Sequence, residues 1–164
     1  MRKFSKSAGV PPETQHNSSP NLCATMPDLP QLITAALEAR KRSIATYSKF
    51  QVGAALLTNE GEIISGANVE SASYGLSCCA ERVALFKALT DGHHIFQALA
   101  IASPGGAAPC GACRQLIVEY TKDTEILLID SNAPENPKST RISKLLPHSF
   151  SGEDLQILKN LGLF

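Results

Sequence analysis

Apolar residues recur at helical spacing from Leu29 onward, where Leu29, Leu32, Ile33, Ala36 and Leu37 share a face that runs toward Arg40. Asp28 stands ahead of them as an N-cap, with Gln31 three residues on. An amphipathic helix is predicted. From Gln51 the period changes: QVGAALLT, the turn residues Asn59-Glu60-Gly61 and then EIISGANVE read as a hairpin of two strands. Beyond it the chain alternates. A helix is predicted over CAERVALFKALT, a strand over FQALAIAS, a helix over GACRQLIVEY and a strand over EILLI. Polar residues 131–141 and a helical stretch from Glu153 close the pattern. Alternation of this kind after a hairpin implies the α/β class, with a mixed sheet covered by helices on both faces.

Residues 1–27 show no apolar periodicity and are rich in Ser, Pro, Asn, Thr and Lys. Such a segment buries too little surface to offset its ordering entropy, so a flexible extension precedes one domain over residues 28–164. Arg2, Lys3 and Lys6 come before the first acid, Glu13, as in an organellar transit peptide, but Pro11-Pro12 opposes the amphipathic helix that import needs. A cytoplasmic location is expected.

The chain has 164 residues, of which 43% are hydrophobic and 18% charged, enough for one substantial core. Fifteen basic and fifteen acidic residues cancel, which gives no electrostatic reason to hold nucleic acid. The run Arg40-Lys41-Arg42 reads as a solvated helix face. No window holds the roughly 18 consecutive apolar residues of a membrane span, and no secretory signal opens the sequence. A ligand that is small or uncharged suits this composition. Five cysteines form an odd set, and four of them fall as the pair Cys78-Cys79 and the CxxC pair Cys110 and Cys113. That spacing fits a metal in a reducing compartment better than a disulfide framework.

Cys110 and Cys113 begin a predicted helix, three residues apart, so both sulfurs project from one face toward a shared ion. Cys79 opens the other predicted helix, and the field at a helix N-terminus favours the thiolate that zinc requires. Three protein ligands leave one tetrahedral position open, the arrangement of a catalytic rather than a closed structural zinc. Three thiolates make the core anionic. Arg82, three residues after Cys79, is placed to donate to the sulfurs and drain that charge. Glu81 is the natural proton carrier between water, a ring nitrogen and a leaving amine. Spacing alone does not bring it to the metal, because residues two apart on a helix point about 200° apart.

The run C-A-E-R at 79–82 followed by P-C-G-A-C-R-Q at 109–115 resembles the small cytidine deaminases. The similarity extends from about Leu32 to Leu155 through YSKFQVGAALL, GANVESASY and LLPHSFSGEDL. It implies a three-layer α/β/α fold with about five strands, one Zn²⁺ per subunit held by Cys79, Cys110 and Cys113, and Glu81 as the catalytic residue. It further implies pyrimidine salvage on cytidine and 2'-deoxycytidine, in a homotetramer with shared active sites. By the same resemblance Asn68 and Glu70 bind the ribose, Phe50 packs on the pyrimidine, Ala80 offers backbone groups to it, and Tyr74 and Phe150 reach a neighbouring subunit's site. Asn68 and Glu70 are expected to face the same way along the second strand, with Val69 pointing into the core.

The chain departs from the family pattern at Thr46, Gln51, Ser71 and Gly75, and its loop from Pro104 to Ala108 is short. Cys78 reads as a small buried hydrophobe and Cys23 as a thiol of the extension. His16, His93, His94 and His148 have no partner at ligand spacing. Arg114 and Gln115 are expected to make structural hydrogen bonds near the metal loop. Two competing functions remain on the sequence: the same chemistry on an RNA base or a cytosine-containing antibiotic, and a noncatalytic zinc-stabilised module with a fourth protein ligand.

Overall fold

The computed structural model describes residues 29–160. The expected extension over residues 1–27 and the Asp28 cap lie outside the described residues. Helix α1 (Leu29–Arg40) is followed by strands β1 (Gly53–Thr58) and β2 (Ile63–Ala67), helix α2 (Ala80–Thr90) and strand β3 (Phe96–Ser103). Helix α3 (Gly111–Thr121), strands β4 (Glu125–Asp130) and β5 (Lys138–Arg141), and helices α4 (Ile142–Leu145) and α5 (Gly152–Asn160) complete the order. The sheet runs β2-β1-β3-β4-β5. Only β3 and β4 are parallel, since α3 carries the chain back between them; the other neighbours are antiparallel.

Both faces of the central strands are buried, which is why FQALAIAS reads as an almost unbroken apolar run. Alternate residues sort to the two sides. Ala55, Leu57, Ala98, Ala100, Ala102, Leu127 and Ile129 pack with Leu32 and Ala36 of α1. Ala54, Leu56, Leu99, Ile101 and Ile126 pack with Ala84, Leu85 and Ala88 of α2 and Ile117 of α3. The result is three layers, α/β/α. Each large aliphatic side chain sealed this way contributes on the order of 1.5–3 kcal/mol.

Glycine brings the helices down onto the sheet. A Cβ on Gly53 would stand 2.1 Å from the Ala36 carbonyl and 2.2 Å from Arg40 N. One on Gly66 would stand 2.5 Å from Ala84 N and 2.8 Å from the Ala80 carbonyl. Both are backbone contacts, so the obstruction cannot swing aside.

Three expectations change. Residues 131–141 do not merely close the domain: Lys138–Arg141 pairs with β4 as an edge strand, Arg141 opposite Glu125. Strand β2 ends at Ala67 and does not continue to Glu70. Val69 is not a core residue; it is 42% exposed and held by isolated bridges to Ile44 and Cys78. Among the described residues no helix is long and apolar enough to cross a membrane.

Gly66→Ala is expected to lower the melting temperature by about 5 °C, the shift that about 2 kcal/mol of overpacking gives a domain of this size. Gly75→Ala, where an added Cβ meets nothing within 4 Å, should leave it within about 1 °C. Equal shifts in thermal melts of the two variants would contradict the close contact at α2.

Candidate active site

Strand register gathers the site at one end of the sheet. Gly53 at the start of β1 pairs with Ala67 at the end of β2 and with Ala102 near the end of β3. Val52, Asn68 and Ser103 therefore flank the same edge, and α2 and α3 start above it. Cys79 and Cys110 are the N-caps of those helices, with extended backbone (ψ 153° and 167°) and no side-chain cap bond. Their sulfurs turn to each other instead, 4.0 Å apart. Cys113, buried in the first turn of α3, completes a group whose three sulfurs all lie within 4.8 Å of one another. Tetrahedral zinc at about 2.3 Å from each sulfur requires S···S spacings near 3.8 Å, so small side-chain adjustments suffice.

The extended N-cap also resolves the spacing problem at Glu81. Cys79 lies outside the helix, so the angular count along α2 does not apply to it, and both residues face one cavity. Glu81 is 5% exposed. Burial raises its pKa and the neighbouring Cys79 adds to the rise, while its own backbone N–H, Cys113 and Arg82 pull it down. Arg82 donates through Nη2 to the Ser77 carbonyl at 3.0 Å and to Cys79 Sγ at 3.7 Å. Cys79 is held down to about 5, chiefly by a hydrogen bond from Cys113, against its own burial and with help from Arg82. Cys113 is pushed up, because it keeps the proton that it donates to Cys79 and because it is buried.

The cavity, of about 180 Å³, is lined by Phe50, Asn68, Glu70, Cys79, Ala80 and Glu81, together with Ser48, Val52, Ile101, Ser103, Ala107 and Ala108. Asn68 Oδ1 accepts from Val52 N at 2.8 Å and from Ser43 Oγ at 2.5 Å. Its Nδ2 donates to the Phe50 carbonyl at 2.9 Å. Glu70 accepts from Tyr47 N at 2.7 Å, Ser48 N at 3.1 Å and the Ser48 hydroxyl. Those donors, the hydroxyl first, lower the Glu70 pKa.

Residues 26–128 match the family model described as the cytidine and deoxycytidylate deaminase zinc-binding region. The chain belongs to the cytidine and deoxycytidylate deaminase family. It is 43% identical over 130 residues to a cytidine deaminase of Sporosarcina psychrophila, covering 78% of this chain and 95% of that protein. A cytidine deaminase of Halalkalibacterium halodurans is 44% identical over 131 residues, covering 78% of this chain and 98% of that one. The crystal structure of cytidine deaminase from Burkholderia pseudomallei superposes with a TM-score of 0.69 at 46% identity, across 73% of this chain and 97% of that one.

The family's metal is zinc, and the Cys79, Cys110 and Cys113 group fits it: soft donors, spacing close to that of a tetrahedral site, and Cys79 lining the same cavity as Glu81. Cys78 lies outside that group and is half-buried. Two residues of the deaminase pattern are not in this cavity. Tyr74, 74% exposed, lines an adjacent cleft with Tyr47, Ser48, Glu70 and Ser77 and meets Tyr47 edge to face at 5.9 Å. Phe150 is 53% exposed.

Arg114 and Gln115 make the expected structural bonds. Arg114 donates to the carbonyls of Pro109 at 2.7 Å and Leu145 at 2.8 Å, fastening the turn ahead of Cys110 to the end of α4. Gln115 Nε2 donates to the Phe150 carbonyl at 2.8 Å. Sequence reasoning missed Ser48, Ser43 and Ser103, and it singled out the loop that carries Ala107 and Ala108 without naming those two residues as lining. Serine and alanine carry no chemical signature of their own, and the signal available for Ser48 was its place two residues before Phe50.

Elemental analysis of purified protein should find about one zinc per chain, falling below about a tenth in Cys79→Ala and in Cys110→Ala. Cys78→Ala should keep its zinc. A Cys78→Ala protein without zinc, beside a Cys79→Ala protein that retains it, would reverse the ligand assignment.

Proposed function

We propose that the chain hydrolytically deaminates cytidine and 2'-deoxycytidine to uridine and 2'-deoxyuridine, releasing ammonia, in cytoplasmic pyrimidine salvage. One observation carries this reading: the buried carboxyl of Glu81 stands beside a three-thiol metal group, in a cavity also lined by the Asn68 amide and the Glu70 carboxylate. When bound, zinc supplies Lewis acidity, lowering the pKa of water at the site. Glu81 does the proton transfers. It accepts a proton from the attacking water and delivers it to the ring nitrogen beside C4; it then takes the remaining proton from the new C4 hydroxyl and passes it to the amine as the C–N bond breaks and the C4 carbonyl forms. The water oxygen stays on C4 and the nitrogen leaves as ammonia.

Burial suits Glu81 to this work, because a raised pKa brings a carboxyl closer to the range in which it both takes and gives protons. Arg82 holds Cys79 and offsets the excess negative charge of the thiolates. Ala80 presents backbone groups to the base and Phe50 packs on it, while Asn68 and Glu70 bind the sugar. Glu70 also opposes a 5'-phosphate, which favours nucleosides over nucleotides. A noncatalytic zinc module would call for a fourth protein ligand, and among the described residues the metal group has three.

We further propose a homotetramer in which Tyr74 and Phe150 complete the site of a neighbouring subunit. Their exposure, with that of Leu76 and Phe86, is the support. Cytidine added to the native protein should lose ultraviolet absorbance as uridine forms. Glu81→Gln should lower kcat/KM by at least about a thousandfold with its zinc retained, and an active, zinc-loaded Glu81→Gln would remove the carboxyl from the mechanism. Sedimentation should give about four times the 17.5 kDa chain mass. Phe150→Ala should raise KM more than Ser149→Ala does; equal, negligible effects would refute its action in trans.

A further inference from the structure

Three of the roughly four lone-pair positions on the Glu70 carboxylate are taken by the chain itself. Oε2 accepts the backbone N–H groups of Tyr47 and Ser48, and Oε1 accepts the Ser48 hydroxyl. Two donors on one oxygen fix that atom but leave the carboxylate plane free to turn. The hydroxyl on the second oxygen fixes the plane. Ser48 Oγ accepts in turn from Phe50 N at 2.9 Å, and the Phe50 carbonyl accepts from Asn68 Nδ2. The Asn68 amide is oriented by Val52 N, which can only donate, so Oδ1 must face it. Asn68 therefore has one N–H left to offer and Glu70 one acceptor, and Ser48, Phe50, Asn68 and Glu70 all border the cavity.

We infer that Ser48 is a positioning residue for sugar recognition: its hydroxyl, bonded to Glu70 and to Phe50 N, aims the remaining Glu70 lone pair at a hydroxyl of the nucleoside. The role rests on Glu70 contacting the sugar. Without Ser48 Oγ, Glu70 keeps its charge and both backbone donors but loses its orientation, and the Phe50 peptide loses the acceptor for its N–H. A misaimed carboxylate in contact with solvent is satisfied by water, so the selective loss falls on substrates that carry the hydroxyl. The depressed Glu70 pKa, set first by this hydroxyl, is consistent with a carboxylate kept ionised as a pure acceptor.

The test measures kcat and KM for cytidine and for 2',3'-dideoxycytidine in the native protein, Ser48→Ala, Ser48→Thr and Glu70→Ala. Ser48→Ala should raise KM for cytidine about tenfold while kcat/KM for the dideoxynucleoside falls less than about twofold, so that the preference for cytidine collapses. Ser48→Thr, which keeps the hydroxyl, should restore most of that preference. An equal loss on both nucleosides in Ser48→Ala would make the residue a purely structural one and overturn the proposal. If Glu70→Ala erases the preference and Ser48→Ala does not, the proposal for Ser48 fails alone. If the preference survives Glu70→Ala, sugar binding by Glu70 fails and the proposal falls with it.

Discussion

The site depends first on how closely helix α2 lies against strand β2. Gly66 has no Cβ, and the space such an atom would need is filled by Ala80 O and Ala84 N. The first turn of α2 is thus pinned to the sheet by backbone contact, which side-chain repacking cannot relax. Cys79 and Glu81 flank that pinned residue Ala80 on either side, so their positions are inherited from it. Packing sets this end of the molecule before any electrostatic interaction refines it.

Electrostatics then decide what the pinned residues can hold. Three thiolates with Zn²⁺ carry a formal charge of minus one, and the buried Glu81 adds a carboxyl beside them. Opposing this are the positive ends of α2 and α3, where Cys79 and Cys110 sit as caps, and the guanidinium of Arg82. The first turns of both helices leave backbone N–H groups without intrahelical partners. Neither cap sulfur bonds those groups, so the helix ends act on Cys79 and Cys110 through their field alone, which favours the thiolate.

The parts of this architecture that sequence made legible are those with a strong period or a distinctive donor set. FQALAIAS is buried on both faces and reads as such, and the cysteines of CAER and PCGACRQ are brought together as their spacing and family pattern predict. Strand β5 was hidden because KSTR lies at the sheet edge, largely exposed, where no apolar alternation is imposed. Asn68 and Glu70 do border one cavity, yet not as alternate residues of a strand: β2 has ended, and each is held by its own bonds to the segment 43–52. Val69 was misplaced for the same reason. Extrapolating a two-residue period past the last ladder pair assigned it to the core, where the observed bridges leave it partly in solvent.

The two walls of the cavity are built from different materials, and this separates chemistry from recognition. The sulfur wall stands on helix ends seated on the main core, with Cys113 and Ala80 fully buried. The other wall stands on the turn around Tyr47, Ser48 and Lys49, where Lys49 adopts a positive φ of 60° and the bonds to Glu70 are exposed. These exposed bonds carry little of the fold's stability, so residues there can be exchanged without disturbing the packed helix ends. In the proposed reaction, substitutions there alter which substrate is held and how tightly, whereas substitutions at the helix ends remove the metal or the proton carrier. Specificity can therefore change through segment 43–52 and the rim at Ala107 and Ala108 while the CAER and PCGAC runs, and the reaction they carry in this proposal, stay as they are.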